Sequence, residues 1–301
     1  MDLPEIFSIA KSGQAFSESF SRAGYILSQY LKYIESVVTA NENFTSDPFN
    51  LAILGLFSKL RCHYYSFVLL ETSQDQVGSQ FLIEQIYETA VTLTYLLEEA
   101  DEGLFSDYIA ASIYQCHHLV AEITDRLQIF PNHPGLLELK DRLESYIDCN
   151  QYRNLPVFPS EPPANARAYW GPPQANTTAK RGDILGFNFL ANPVRAINLK
   201  IVPASWLDLQ INSSTSASSS PDSKAKPTVN FRTLRDTAHL CLHVTRAFIE
   251  EVVSQGIQNF DKEQLDQDLN ALFVWFYDAH AACRAHFSEE VEEVSEMSSY
   301  N

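Results

Sequence analysis

Several things are scarce in this chain of 301 residues, and each scarcity closes a class of function. Glycine occurs only ten times, and neither a Gly-rich phosphate loop nor a Gly-x-Ser-x-Gly turn is present. The backbone cradle for nucleotides and the nucleophile elbow of hydrolases are therefore missing. The five cysteines, Cys62, Cys116, Cys149, Cys241 and Cys283, contain no C-x-x-C pair. That excludes zinc ribbons and thioredoxin-type motifs. Their odd number and wide spacing read as small apolar core residues in a reducing compartment. No Glu-x-x-His occurs, so a ferritin-like di-metal bundle lacks its ligands.

Positive charge is scarce too. There are 21 Lys and Arg against 38 Asp and Glu, for a net charge of −17. A field of that sign repels phosphate backbones and anionic bilayers, which argues against nucleic-acid and membrane partners. No run approaches the ~18 apolar residues of a membrane span. The first residues lack a basic segment followed by an apolar one, so no signal peptide is read and a cytoplasmic location is expected. No motif calls for a cofactor, and no metal is assigned.

What the chain does have is helical periodicity. Apolar residues Phe16, Phe20, Ala23, Leu27, Tyr30, Ile34 and Val37 step by four and three, as a bundle seam does. A second seam runs through Phe49, Ile53, Leu56, Leu60, Tyr64, Phe67 and Leu70, behind a Ser46-Asp47-Pro48 start signal. Residues 81–99 are apolar around most of the helix, which marks them as the helix that others surround. A fourth seam (Ile109, Ile113, Cys116, Val120, Ile123, Leu127, Phe130) precedes a short helix at about 135–149.

Composition then shifts: residues 151–228 hold ten of the fourteen prolines and a Ser-rich run at 213–223. That insertion is expected to be mostly irregular, with a disordered linker. Short strands at 197–202 and 206–211 are an alternative to an extended arm anchored by Trp170 and Trp206. Helical patterns return at about 231 and again at 262, the last with seam residues Leu265, Leu269, Leu272, Phe276, Ala279, Cys283 and Phe287. Five Glu follow, in an acidic tail over 288–301. The expectation is one all-α domain: an antiparallel bundle of about seven helices, over about 15–149 and 229–287, interrupted by the insertion.

Residues 56–97, LFSKLRCHYYSFVLL, a polar turn, then FLIEQIYETAVTLTYLL, resemble a family of uncharacterised bacterial helical domains, loosely HEPN-like. Its pattern is Arg-x-x-x-Glu followed by an apolar run ending near Tyr-Leu. Here Glu88 matches the Glu and Tyr95-Leu96 the ending, while Glu84 stands at the Arg position. The resemblance implies an all-helical fold and brings no established activity.

The polar residues that break these patterns are the candidate site. Glu84 and Glu88 lie one turn apart on the 81–99 helix, either as paired carboxylates or on its wet edge, with Arg61 as one basic partner. Arg232, Arg235, Asp236, His239, His243, Arg246 and Glu250 form a polar stripe opposite the seam of the 231 helix. Asp236, His239 and His243 have the spacing of metal ligands. Three arginines on the same stripe oppose a cation and suit an anion or an acidic helix, with Glu84 and Glu88 as candidate partners. HEPN ribonucleases carry an Arg-x(4–6)-His motif, and Arg232 to His239 has that spacing.

The leading expectation is a non-enzymatic interaction or scaffold protein, with a protein partner or a homodimer. Its heptad-like seams and tyrosine-rich helices (Tyr25, Tyr30, Tyr33, Tyr64, Tyr65) carry it. The competitors are a HEPN-like ribonuclease using Arg232 and His239, and a metal-binding helical protein.

Overall fold

The computed structural model describes residues 13–73, 76–99, 101–147, 170–187, 231–257 and 261–298. Among these, every regular element is helical: α1 (Gly13–Thr39), α2 (Glu42–Thr45), α3 (Pro48–Thr72), α4 (Gln76–Glu99), α5 (Glu102–Ile129), α6 (Pro134–Ile147), α7 (Thr178–Ile184), α8 (Phe231–Ser254) and α9 (Lys262–Ser298). The protein is all-α. The strands considered for 197–202 and 206–211, the Ser-rich run and Trp206 lie outside the described residues.

Local chemistry sets the helix ends. The carboxylate of Asp47 accepts from the Asn50 amide at 2.9 Å, with Pro48 opening α3. Asp101 accepts from Leu104 at 2.7 Å and so caps α5. Asp261 accepts from the Gln264 amide at 3.1 Å before α9. Each satisfies an amide that the first turn leaves without a helical partner. At the other end of α8, Gly256 takes φ 84°. The amide of Ile257 reaches back to the Val252 carbonyl at 3.3 Å while its side chain is buried, closing a Schellman turn.

The chain groups into two compact units, one of residues 1–94 and 187–301, the other of residues 95–186. In the first, α1 is the helix that others approach most closely: α2, α3, α8 and α9 all pack on it, and α8 also packs on α3 and α9. Phe20, Ala23, Leu27, Leu31, Ile34 and Val38 of α1 are wholly buried. Phe20 meets Phe231, Trp275 and Phe276, with ring centroids 5.0, 5.4 and 6.1 Å away. Phe57 of α3 and Phe248 of α8 stack in parallel at 4.1 Å.

The 81–99 stretch is largely buried over residues 86–96, as its all-round apolarity predicts. Ile86, Ala90, Val91 and Leu93 are buried, but Phe81 is 65% exposed. Residue size sets how closely α1 and α3 approach. A Cβ on Gly24 of α1 would stand 3.0 Å from a Val68 methyl. Gly24 lets α3 come close to α1.

In the second unit, Trp170 is the anchor that the sequence suggests. Its ring packs edge-on against Tyr95 and Tyr108, with centroids 5.9 and 5.0 Å away. The guanidinium of Arg181, on α7, covers that ring at 4.1 Å. It also donates to the Ala175 carbonyl at 3.0 Å. The expected insertion thus contains an ordered block at 170–187. Farther along, α5 and α6 pack on each other, and Ile129 and Phe130 stay 72% and 58% exposed.

Two further differences concern sequence boundaries. The polar break at 41–47 contains the one-turn helix α2, capped by Asn41. The acidic run that follows 288 continues α9 as helix to Ser298.

Candidate functional site

On α8 the two faces separate as the pattern requires. Leu234, Ala238, Cys241, Thr245, Phe248 and Val252 are buried. The polar stripe is left on the opposite side. α9 returns antiparallel along this stripe, and its Asn270, Phe273 and His280 meet it.

Arg235 is the organising group. It donates through Nε and Nη2 to Asp236 Oδ1 at 2.8 and 2.5 Å, and through Nη1 to His280 Nδ1 at 2.8 Å. A guanidinium can only donate, so His280 Nδ1 accepts and the imidazole is neutral. Burial pushes the His280 pKa below its ordinary value. Arg235 pushes it the same way, Asp236 opposes, and Arg284 and Arg232 add smaller downward contributions. Arg232 is 70% exposed and stands 3.6 Å from the other oxygen of Asp236.

His239 is engaged by α9 as well. Its ring stacks on Phe273 at 4.1 Å, and its Nε2 donates to the Phe273 carbonyl at 3.2 Å. Burial is the main cause of its lowered pKa. The Phe273 carbonyl and Asp236 oppose that shift, while Arg235 and His280 reinforce it. Arg246 donates to Asn270 Oδ1 and lies 5.7 Å from the Phe273 ring. His243 is exposed, its ring edge-on to Phe187 at 5.3 Å.

The stripe therefore assembles with α9 into one surface of guanidiniums, imidazoles and aromatic faces. Beside it Phe273, Val274 and Tyr277 are 38%, 54% and 60% exposed. Asp236, His239 and His243, which share ligand spacing, turn to three different partners. Among the described residues no group of three or more His, Cys, Asp and Glu is placed to hold a metal. Burial raises the Cys241 thiol far above its usual range and lifts Cys283 to about 11, so neither offers a thiolate at neutral pH.

The remaining sequence candidates lie elsewhere. Glu84 is half-buried and Glu88 exposed, both on α4. Arg61, a partner considered for them, pairs with Glu35 of α1. Arg235 and Arg246 take the partners described above from α8 and α9. Asn270 and Phe273 on this face, and His280 buried beneath it, were not assigned to the site from sequence. Their signal was available: 270, 273, 277 and 280 share one edge of α9, flanking its buried seam.

No protein-family model matches the chain, and no characterised protein or solved structure shows a significant match to it. Among the described residues no helix is long and apolar enough to cross a membrane.

Proposed function

We propose that the protein is a non-enzymatic helical interaction protein that docks a partner on the α8–α9 face. One observation carries this reading. Phe273, Val274 and Tyr277 are exposed together beside Arg246, His239 and Arg235. Aromatic residues and arginine are the types enriched at interface centres, where they combine apolar area with donors. On a chain of net charge −17, a face with arginines and histidines favours an acidic partner segment.

The ribonuclease reading has less support. His239 is stacked and its Nε2 is engaged by a backbone carbonyl, while Arg232 leans on Asp236. An RNA-cleavage assay of wild type against His239→Ala separates the two readings, because the interaction reading expects no difference.

The direct test is a photo-crosslinking residue placed at Tyr277 in living cells, with Glu263 as an exposed control site on the same helix. An adduct from 277 and none from 263 supports the reading. No adduct from either position removes it.

A further inference from the structure

We propose that two copies of this chain associate through the α5–α6 hairpin, each hairpin supplying half of a four-helix bundle. This surface is separate from the α8–α9 face and does not depend on the reading of that face.

Burial along α5 is the first observation. At its start Leu104, Ile109, Ala110 and Ala111 are buried. The Trp170 block covers this end: Trp170 packs on Tyr108, and a Cβ on Gly171 would stand 3.0 Å from a Leu104 methyl. From Ile113 to Ile147, by contrast, Ile123 is the only described apolar residue that is buried. Leu119 and Leu139 are 45% and 46% exposed, and Ile129 and Phe130 at the turn more so. Helices of this length draw most of their stability from burying an apolar face, and α5 and α6 against each other do not close theirs.

Sequence pattern is the second. Cys116, Leu119, Ile123 and Phe130 along α5 and its cap fall at heptad spacing, as do Leu136, Leu139 and Leu143 on α6. Arg126 holds the one remaining position on α5 and turns to Glu122. Two helices joined by a short turn, each with such a seam, are half of a four-helix bundle.

Area and charge select a second copy as the occupant. At roughly 200 Å² for a large apolar residue, the exposed parts of Leu119, Ile129, Phe130 and Leu139 come to about 400 Å² per copy. A standard interface takes about 800 Å² per partner, a little over half of it apolar. The half-covered Cys116, Leu136 and Leu143 complete that share. The bases beside the seam do not call for an acidic partner. Arg126 pairs with Glu122 at 2.7 Å, Arg142 with Glu138 at 2.5 Å and Lys140 with Glu144 at 3.5 Å, each within its own helix. An apolar face with its bases already matched is complementary to its own image, and a two-fold pairing closes at two copies.

The test uses the full chain in sedimentation velocity, from high concentration down to nanomolar, with hydrogen exchange on the same samples. Wild type should run as a dimer that dissociates on dilution, and the amides of 113–147 should exchange faster in the monomer than in the dimer. Leu119→Lys with Leu139→Lys should weaken the dimer at least about tenfold. The same substitution at Leu51, 44% exposed on α3, should leave it unchanged. Both hairpin leucines are nearly half in water within one chain, so circular dichroism should show the helices kept. A wild-type monomer throughout, or a dimer that Leu51→Lys weakens as much as the hairpin pair does, overturns the proposal. Exchange over 113–147 that is the same in monomer and dimer overturns it too, because the seam would then not be what the second copy covers.

Discussion

Arg235 donates to Nδ1 of His280 across 2.8 Å, and this works only while that nitrogen is unprotonated. Protonation would set one N–H against another beside three arginines.

The folded chain therefore holds His280 neutral to a lower pH than the unfolded chain does, and His239 likewise. Between the ordinary histidine pKa of about 6.5 and the lower folded values, the unfolded state binds more protons, so stability falls as pH falls. Above that window the contribution is complete. We expect wild type to lose more stability between neutral pH and pH about 5 than His280→Gln does. Denaturant titrations at both pH values give that difference, and it cancels the titration of the many carboxylates. A larger loss in the variant would contradict the assignment.

A second prediction concerns a carboxylate buried in the core. Asp268 is 7% exposed, and the Tyr30 hydroxyl donates to its Oδ2 at 2.6 Å while Gln264 donates to Oδ1 at 2.8 Å. Tyr30→Phe removes one donor and leaves the charge in place, which costs about 1–3 kcal/mol. Asp268→Asn in the same background should recover part of that loss, because the amide carries no charge to leave unpaired. Urea unfolding with an unchanged m-value reads both steps.

The core and its caps were legible because periodicity and capping are local. The seam of α8, and that of α9 from Leu265 to Cys283, appear in the structure as their spacing predicts, and so does the start of α3 at Asp47. Two features were hidden. Hydrophobicity marks what is buried but not which helix is approached closely, and a glycine such as Gly24 leaves no trace in a hydrophobic pattern. The polar surface was half visible, since the α8 stripe is one helix face. Its partners on α9 depend on the register between two helices, which no local pattern contains.

Two glycine environments give a paired prediction. Gly24 and Gly55 are both helical, so alanine should gain up to about 1 kcal/mol of helix propensity at each. At Gly55 nothing stands within 4 Å of the new Cβ, and the gain should be kept. At Gly24 the Cβ meets both methyls of Val68, at 3.0 and 3.3 Å. These methyls sit on a branched carbon with no room to swing, so α1 and α3 must separate slightly. Gly55→Ala should therefore stabilise the chain in thermal unfolding, and Gly24→Ala should do worse than Gly55→Ala. The reverse order would show that α1 and α3 are less tightly apposed than they are here.

The last prediction isolates the second unit. Arg181 is 2% exposed, with its guanidinium plane over Trp170 and Nη1 donating to the Ala175 carbonyl. Lysine keeps the charge but has no plane to stack on the indole. Arg181→Lys should cost roughly 2–4 kcal/mol locally, from a desolvated cation–π contact and charged hydrogen bonds lost together. Lys180, one residue away and exposed, donates to the Pro173 carbonyl at 2.6 Å and serves as the control. Hydrogen exchange resolves the effect by position. The amides of Ala175, Arg181 and Leu185, each bonded to a backbone carbonyl in this block, should exchange faster in Arg181→Lys than in Lys180→Met. Equal exchange in the two variants would mean that the Trp170–Arg181 stack does not hold the block together.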